Sequence, residues 1–116
     1  MAVVTTAMLQ ATTAGAHGDI DIDYATDVAP ILIQQCQMCH REKGIAPWAM
    51  SNYQIVQGFA PAMKEAIVSK RMPPGQINPA YAKDIINHRT LSSNEIDTLV
   101  AWIDAGAPVE GNIDPL

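Results

Sequence analysis

Cys36-Gln37-Met38-Cys39-His40 reads C-x-x-C-H and contains both cysteines of the chain. That spacing is the attachment signature of a c-type heme. Two thiols three residues apart can add to the two vinyl groups of one porphyrin, and the histidine directly after them can place a ring nitrogen on the iron. Heme iron needs a strong proximal ligand, and imidazole is the usual one. The same residues have rival uses. A C-x-x-C pair can be a thioredoxin-like dithiol, but that motif expects a βαβ setting, which this sequence does not offer. Cys36, Cys39 and His40 could hold zinc, but a closed structural zinc site wants four ligands. His17 and His88 are the only other histidines, and no second cysteine pair exists. The motif points to one covalent heme c, with Cys36 and Cys39 as attachment points and His40 on the iron.

At 116 residues the chain makes one domain. With one Phe, three Tyr and two Trp, its own core is thin for its size. A buried porphyrin would supply the missing apolar bulk and couple folding to cofactor binding. Seven basic residues against 12 acidic ones give a net charge of -5, which argues against nucleic acid as a partner. It allows weak steering towards a basic patch on a partner.

The first basic residue is Arg41, so residues 1–16 carry no charge, and Ala14-Gly15-Ala16 has the small-x-small form of a signal-peptidase site. A basic n-region is missing. Residues 1–23 therefore read as an N-terminal arm or residual signal segment, too short and too rich in Thr and Gly to span a bilayer. No other stretch approaches a transmembrane helix. Covalent heme attachment of this kind implies export, which places the protein in a bacterial periplasm, soluble or peripherally associated. The folded domain spans residues 24–109, and residues 110–116 form a C-terminal tail.

The domain reads as short helices joined by Pro- and Gly-rich loops. The first is expected from Asp27, its N-cap, into the motif, with Pro30 in the first turn and Val28, Ile31, Leu32 and Cys39 on one face. A second is expected from Ser51, where Ser51 and Gln54 fit a capping box, with a break near Gly58 and Pro61. A third should run from Ala60 to Lys70, with Met63, Ala66 and Ile67 inward. The last has the fullest set of signals. Ser92 and Glu95 form a capping box, Leu91 and Ile96 a hydrophobic staple, and Gly106 then Pro108 a stop. Ile96, Leu99, Val100 and Ile103 recur at helical spacing, widened by Trp102 and Ala105. No alternating strand pattern or repeat is present, so the class is all-α.

A sixth iron ligand must come from elsewhere. Met8, Met50, Met63, Met72, His17 and His88 are the candidates, and Met72 is the best. It lies in Arg71-Met72-Pro73-Pro74-Gly75, where two prolines stiffen the chain that would present its sulfur. A thioether ligand raises the reduction potential. Met50 and Met63 read as packing residues and His88 as a solvated loop histidine. His40 should donate its other ring N–H to a backbone carbonyl, with Ala46-Pro47 as the candidate acceptor. Heme propionates need donors, and Trp48, Tyr53, Arg71 and Arg89 are available, Arg having the geometry that best suits a carboxylate. Each of these four also has an ordinary reading, Trp48 as packing and the others as surface residues. Trp102 is expected to pack against the first helix or the heme.

The run Asp27-Val28-Ala29-Pro30-Ile31-Leu32 followed by Cys36 to His40 resembles bacterial class I cytochromes c. The chain looks more specifically like the cytochrome c-like domains found beside, or fused to, copper type II ascorbate-dependent monooxygenase and redoxin domains. The matching stretches are Gly44-Ile45-Ala46-Pro47-Trp48-Ala49-Met50, Gly58-Phe59-Ala60-Pro61, Lys70-Arg71-Met72-Pro73-Pro74, Arg89-Thr90-Leu91-Ser92 and Ala101-Trp102-Ile103-Asp104-Ala105-Gly106-Ala107-Pro108. They cover about residues 24 to 109. The resemblance implies a cytochrome c-like helical domain wrapped around one heme, with His40 and Met72 as axial ligands and electron transfer as the job. Gly75 stands where that family usually carries an aromatic residue. Nothing in the chain corresponds to a catalytic copper domain, so the copper enzyme's activity is not implied.

The expected function is therefore a monoheme c-type cytochrome that carries single electrons between a redox protein donor and acceptor, alone or docked into a larger oxidoreductase complex. With both axial positions filled, iron has no open site for substrate, which argues against catalysis. The alternative is an enzyme-associated or sensory heme module whose sixth ligand is labile.

Overall fold

The first helix begins before Asp27. Asp23 is its cap: the carboxylate accepts from the Thr26 backbone N at 2.8 Å and from the Thr26 hydroxyl at 3.0 Å. Asp27 returns the bond, accepting from the Asp23 backbone N at 2.7 Å. The chain enters through a wide π-type turn, Tyr24–Val28, and tightens into α1, Ala29–Gln35, with Pro30 in the first turn where no N–H is needed. Val28 and Leu32 face inward and are fully buried.

Helix α2, Tyr53–Val68, replaces the two helices expected on either side of Gly58 and Pro61. Its cap is Asn52, which accepts from the Ile55 backbone N at 3.0 Å, and Ser51 instead donates to Glu42 at 2.9 Å. The proline is tolerated because of where it sits. Pro61 and Gln57 are both exposed, so the carbonyl that loses its helical partner can bond to water. The buried stripe Tyr53, Val56, Ala60, Met63 and Ile67 keeps one face across the proline.

Helix α3, Ser93–Asp104, follows its sequence signals, with the Ser92–Glu95 capping box formed in both directions. It ends in a Schellman motif. Gly106, at φ 94°, donates to the Ile103 carbonyl at 3.0 Å, and Ala107 donates to the Trp102 carbonyl at 2.9 Å. Helix α2 ends the same way, but Lys70 occupies the left-handed position at φ 61°. Its N–H meets the Ile67 carbonyl at 3.1 Å, and Arg71 donates to the Ala66 carbonyl at 2.9 Å.

The first helix and α2 both pack on α3. Between them Tyr24 meets Tyr53 edge-on, ring centres 5.0 Å apart, and stacks on Trp102 at 5.7 Å. Every polar tip in this cluster has a partner. Trp102 Nε1 donates to the Pro108 carbonyl at 2.8 Å, and the Tyr53 hydroxyl donates to the Ala107 carbonyl at 2.7 Å. The Tyr24 hydroxyl donates to Asp114 at 2.9 Å, while the other Asp114 oxygen accepts from the Tyr53 backbone N at 2.6 Å. The segment expected as a tail is thus a clasp over the start of α2.

The structure is a computed structural model and describes residues 21–77, 80 and 89–116. Among them there are three α-helices and no strand, so the described chain is all-α. No described helix is long and apolar enough to cross a membrane. The expectations for residues 1–16, Met8, His17 and His88 lie outside the described residues.

Candidate functional site

The C-x-x-C-H motif is the turn that stops α1. Cys36 caps the helix, its N–H reaching the Leu32 carbonyl at 3.0 Å, and Gln37 N reaches the same oxygen at 2.9 Å. Cys39 N and His40 N then both bond to the Cys36 carbonyl, at 3.1 and 2.9 Å. The following loop folds back on the motif: Ala46 N donates to the Cys39 carbonyl at 3.2 Å and Met50 N to the His40 carbonyl at 2.9 Å. Gly44 makes this return possible, since a Cβ there would lie 2.3 Å from the Cys39 carbonyl oxygen. Gln37, inside the motif, donates to the Met50 carbonyl at 2.9 Å and ties both arms of the loop together.

His40 is held by this loop. Its Nδ1 lies 3.0 Å from the Trp48 carbonyl. A carbonyl only accepts, so Nδ1 carries a proton, and in the neutral tautomer that this bond selects, the lone pair lies on Nε2. The acceptor is one residue beyond the expected Ala46-Pro47. The imidazole also lies against the Trp48 ring, 4.6 Å between centres, and Trp48 stacks on Phe59 at 4.0 Å.

These groups line one cavity of about 490 Å³ between the motif, its return loop, the C-terminal half of α2 and the Met72-Pro73-Pro74 segment. That volume is in the range of pockets that hold small organic ligands. Cys36, Cys39, His40, Trp48, Arg71, Met72 and Arg89 all line it, so seven of the eight sequence-derived candidates share one site. Tyr53 is the exception and corrects the expectation. It lies in the aromatic cluster, where its hydroxyl is already committed to Ala107, and it is not among the cavity residues.

Met72 is carried to the cavity by the end of α2. Its own N–H joins Arg71 N on the Ala66 carbonyl, at 3.1 Å, so the Schellman turn fixes where the segment leaves the helix. Met72 is 40% exposed, whereas Met50 and Met63 also line the cavity but belong to the buried core. Arg71 forms an ion pair with Glu65 and donates to Ser69 at 3.2 Å. Arg89 Nη1 lies 3.4 Å from the Cys39 sulfur.

The two thiols have different surroundings. Burial, then the Glu95 carboxylate and Cys39, push Cys36 up to about 12, so it stays a neutral thiol at physiological pH. Among the described residues, no group of three His, Cys, Asp or Glu side chains is arranged to hold a bare metal ion.

Sequence reasoning gave no role to Phe59, although it is the only phenylalanine and sits 39% exposed on the cavity wall. A large apolar side chain off the buried stripe of α2 was the available signal. Gly44 was a second omission, visible only once the loop is folded. No family model, curated protein or solved structure matches the chain.

Proposed function

We propose that the chain is a monoheme c-type cytochrome that passes single electrons between protein partners, a redox donor and an acceptor, in the periplasm. The observation that carries this reading is the convergence of Cys36, Cys39, His40 and Met72 on one apolar-walled cavity. The donor set fits the group. Two thiols at the attachment spacing, an imidazole bonded through Nδ1, a thioether from a separate segment and two arginines are donor types that suit a covalent heme. When bound, the heme supplies a one-electron redox couple. Cys36 and Cys39 would anchor it through thioethers. His40, oriented by its bond to the Trp48 carbonyl, and Met72 would hold its iron. Arg71 and Arg89 are the cations available to the propionates. Trp48, Phe59, Met63 and Leu91 would keep water from the ring faces.

A second reading, a sensory or enzyme-associated module, differs in that Met72 would be readily displaced from the iron. One experiment decides between them: carbon monoxide added to the reduced protein. An unchanged spectrum supports the carrier, and rapid binding supports the labile-ligand module. The Met72→Ala variant should bind carbon monoxide and show a lower reduction potential. If it stays six-coordinate and unreactive, Met72 is not the ligand.

A further inference from the structure

Phe59 is the only phenylalanine of the chain, and the core does not use it. The buried stripe of α2 is Tyr53, Val56, Ala60, Met63 and Ile67, and Phe59 lies beside that stripe, 39% exposed. The ring has a different partner, Trp48. The two stack with 4.0 Å between centres and 11° between their planes. Offset stacking of this kind fixes the angle of both rings as well as their distance.

Trp48 in turn meets His40 twice. Its carbonyl lies 3.0 Å from Nδ1, and its indole lies against the imidazole, 4.6 Å between centres at 56°. The hydrogen bond fixes where one nitrogen points, but the imidazole can still tilt about that bond. A ring against it removes the tilt, provided that ring is itself held. Trp48 is only partly buried. The bonds that close its loop, from Ala46 N to Cys39, from Met50 N to His40 and from Gln37 to Met50, secure the backbone and not the indole. The stack on Phe59 ties the indole to α2, a helix of 16 residues. The same helix fixes Met72, whose N–H bonds to the Ala66 carbonyl at 3.1 Å. One rigid element thereby reaches both proposed iron ligands.

We infer that Phe59 is a positioning residue: stacked on Trp48, it sets the tilt of the His40 imidazole from α2. Its purpose rests on the electron-carrier reading, since a fixed ring plane is what a proximal ligand needs. The contacts themselves belong to the protein's own side chains. A flat ring is required at this position, because an aliphatic side chain of similar bulk packs on the indole without setting its angle.

The test reads the His40 ring directly. Ring proton–carbon spectra are recorded for the full chain under reducing conditions, with the heme content of each sample taken from its intact mass. Phe59→Leu should shift the His40 ring signals and broaden them severalfold, and its Nδ1 proton should exchange with water severalfold faster. Phe59→Tyr keeps the stack and should retain the parental signals. Val56→Ala removes buried packing from the same helix but no ring, so it should lower stability and leave His40 parental. Should Phe59→Leu misfold, Phe59→Met must give the same change. The proposal is overturned if Phe59→Leu has parental His40 signals, if Phe59→Tyr changes them as much, or if Val56→Ala does. Parental signals in heme-loaded Phe59→Leu would overturn the positioning role and leave the electron-carrier reading standing. The expected pattern from samples without covalent heme would uphold the positioning role and overturn that reading alone.

Discussion

The two halves of α2 are packed against very different surroundings. Its N-terminal half, with Tyr53, Val56 and Ala60, closes onto Tyr24 and Trp102, and each polar tip there has a protein partner. Its later turns, with Met63 and Ile67, together with Phe59 near the middle of the helix, face a cavity of about 490 Å³. The first half is complete without any other molecule. The second is a cavity wall, where a large apolar side chain has fewer packing partners than in the closed half. One helix thus joins a structural end to a binding end. The aromatics that the composition made scarce are spent on both.

The largest effect should come from the closed half. Trp102→Ala removes the central ring and is expected to cost about 3–5 kcal/mol in urea unfolding of the protein as purified. Phe59→Ala on the hollow half should cost about 1 kcal/mol, the scale of one aromatic pair. Equal losses at the two positions would erase the contrast.

Gly44→Ala tests the loop that shapes the cavity. The new methyl would press on the Cys39 carbonyl, and overpacking of this kind costs about 1–3 kcal/mol. Because that loop presents the Trp48 carbonyl to His40, the variant should also broaden the His40 ring resonances. A variant with parental stability and sharp His40 signals would show that the loop has another way to close.

Asp114 and Tyr24 make the closed half sensitive to alkali. Burial, then the bond to Asp114, holds the Tyr24 phenol well above its ordinary value of 10.0, and burial raises Tyr53 as well. Groups held protonated by the fold contribute fully below that ordinary value. Their contribution drains as pH rises above it, since the unfolded chain then releases the proton first. Stability measured by urea should therefore fall steeply above pH 10, and less steeply in Tyr24→Phe. At neutral pH that variant should lose about 1 kcal/mol for the missing hydrogen bond. A parallel pH dependence in both proteins would remove Tyr24 from the account.

The last effect is a gain. Lys70 and Gly106 occupy equivalent left-handed positions at the ends of α2 and α3. A lysine there costs about 1–2 kcal/mol relative to an easily tolerated conformation. Lys70→Gly should raise the thermal midpoint by a few degrees, and Gly106→Ala should lower it. If Lys70→Gly destabilises the chain, the lysine side chain contributes more than the backbone strain costs.

Helix α3 was legible in the sequence because its signals are local: Ser92 and Glu95 are three residues apart, and Gly106 follows directly. The motif turn was legible for the same reason, and with it most of the cavity. Pro61 reads as a break along the sequence because a proline's effect depends on which face it occupies, and only packing settles that. Asp23 and Asp27 both suit a cap by residue type; the reciprocal bond decides for Asp23. The Tyr53 hydroxyl meets Ala107, 54 residues away, a pairing that spacing does not announce. Asp114, 61 residues from Tyr53, carried no sign of its clasp. Long-range pairs of this kind arise from the packed helices, and spacing along the chain does not encode them.

The central claim is that the hollow half of the molecule holds a covalent heme, and the intact mass of the chain tests it most directly. Expressed in cells equipped for heme attachment and extracted with acid acetone, the protein should retain the mass of one heme, and the Cys36→Ser, Cys39→Ser variant should retain none. An unmodified parental mass from those cells would contradict the account.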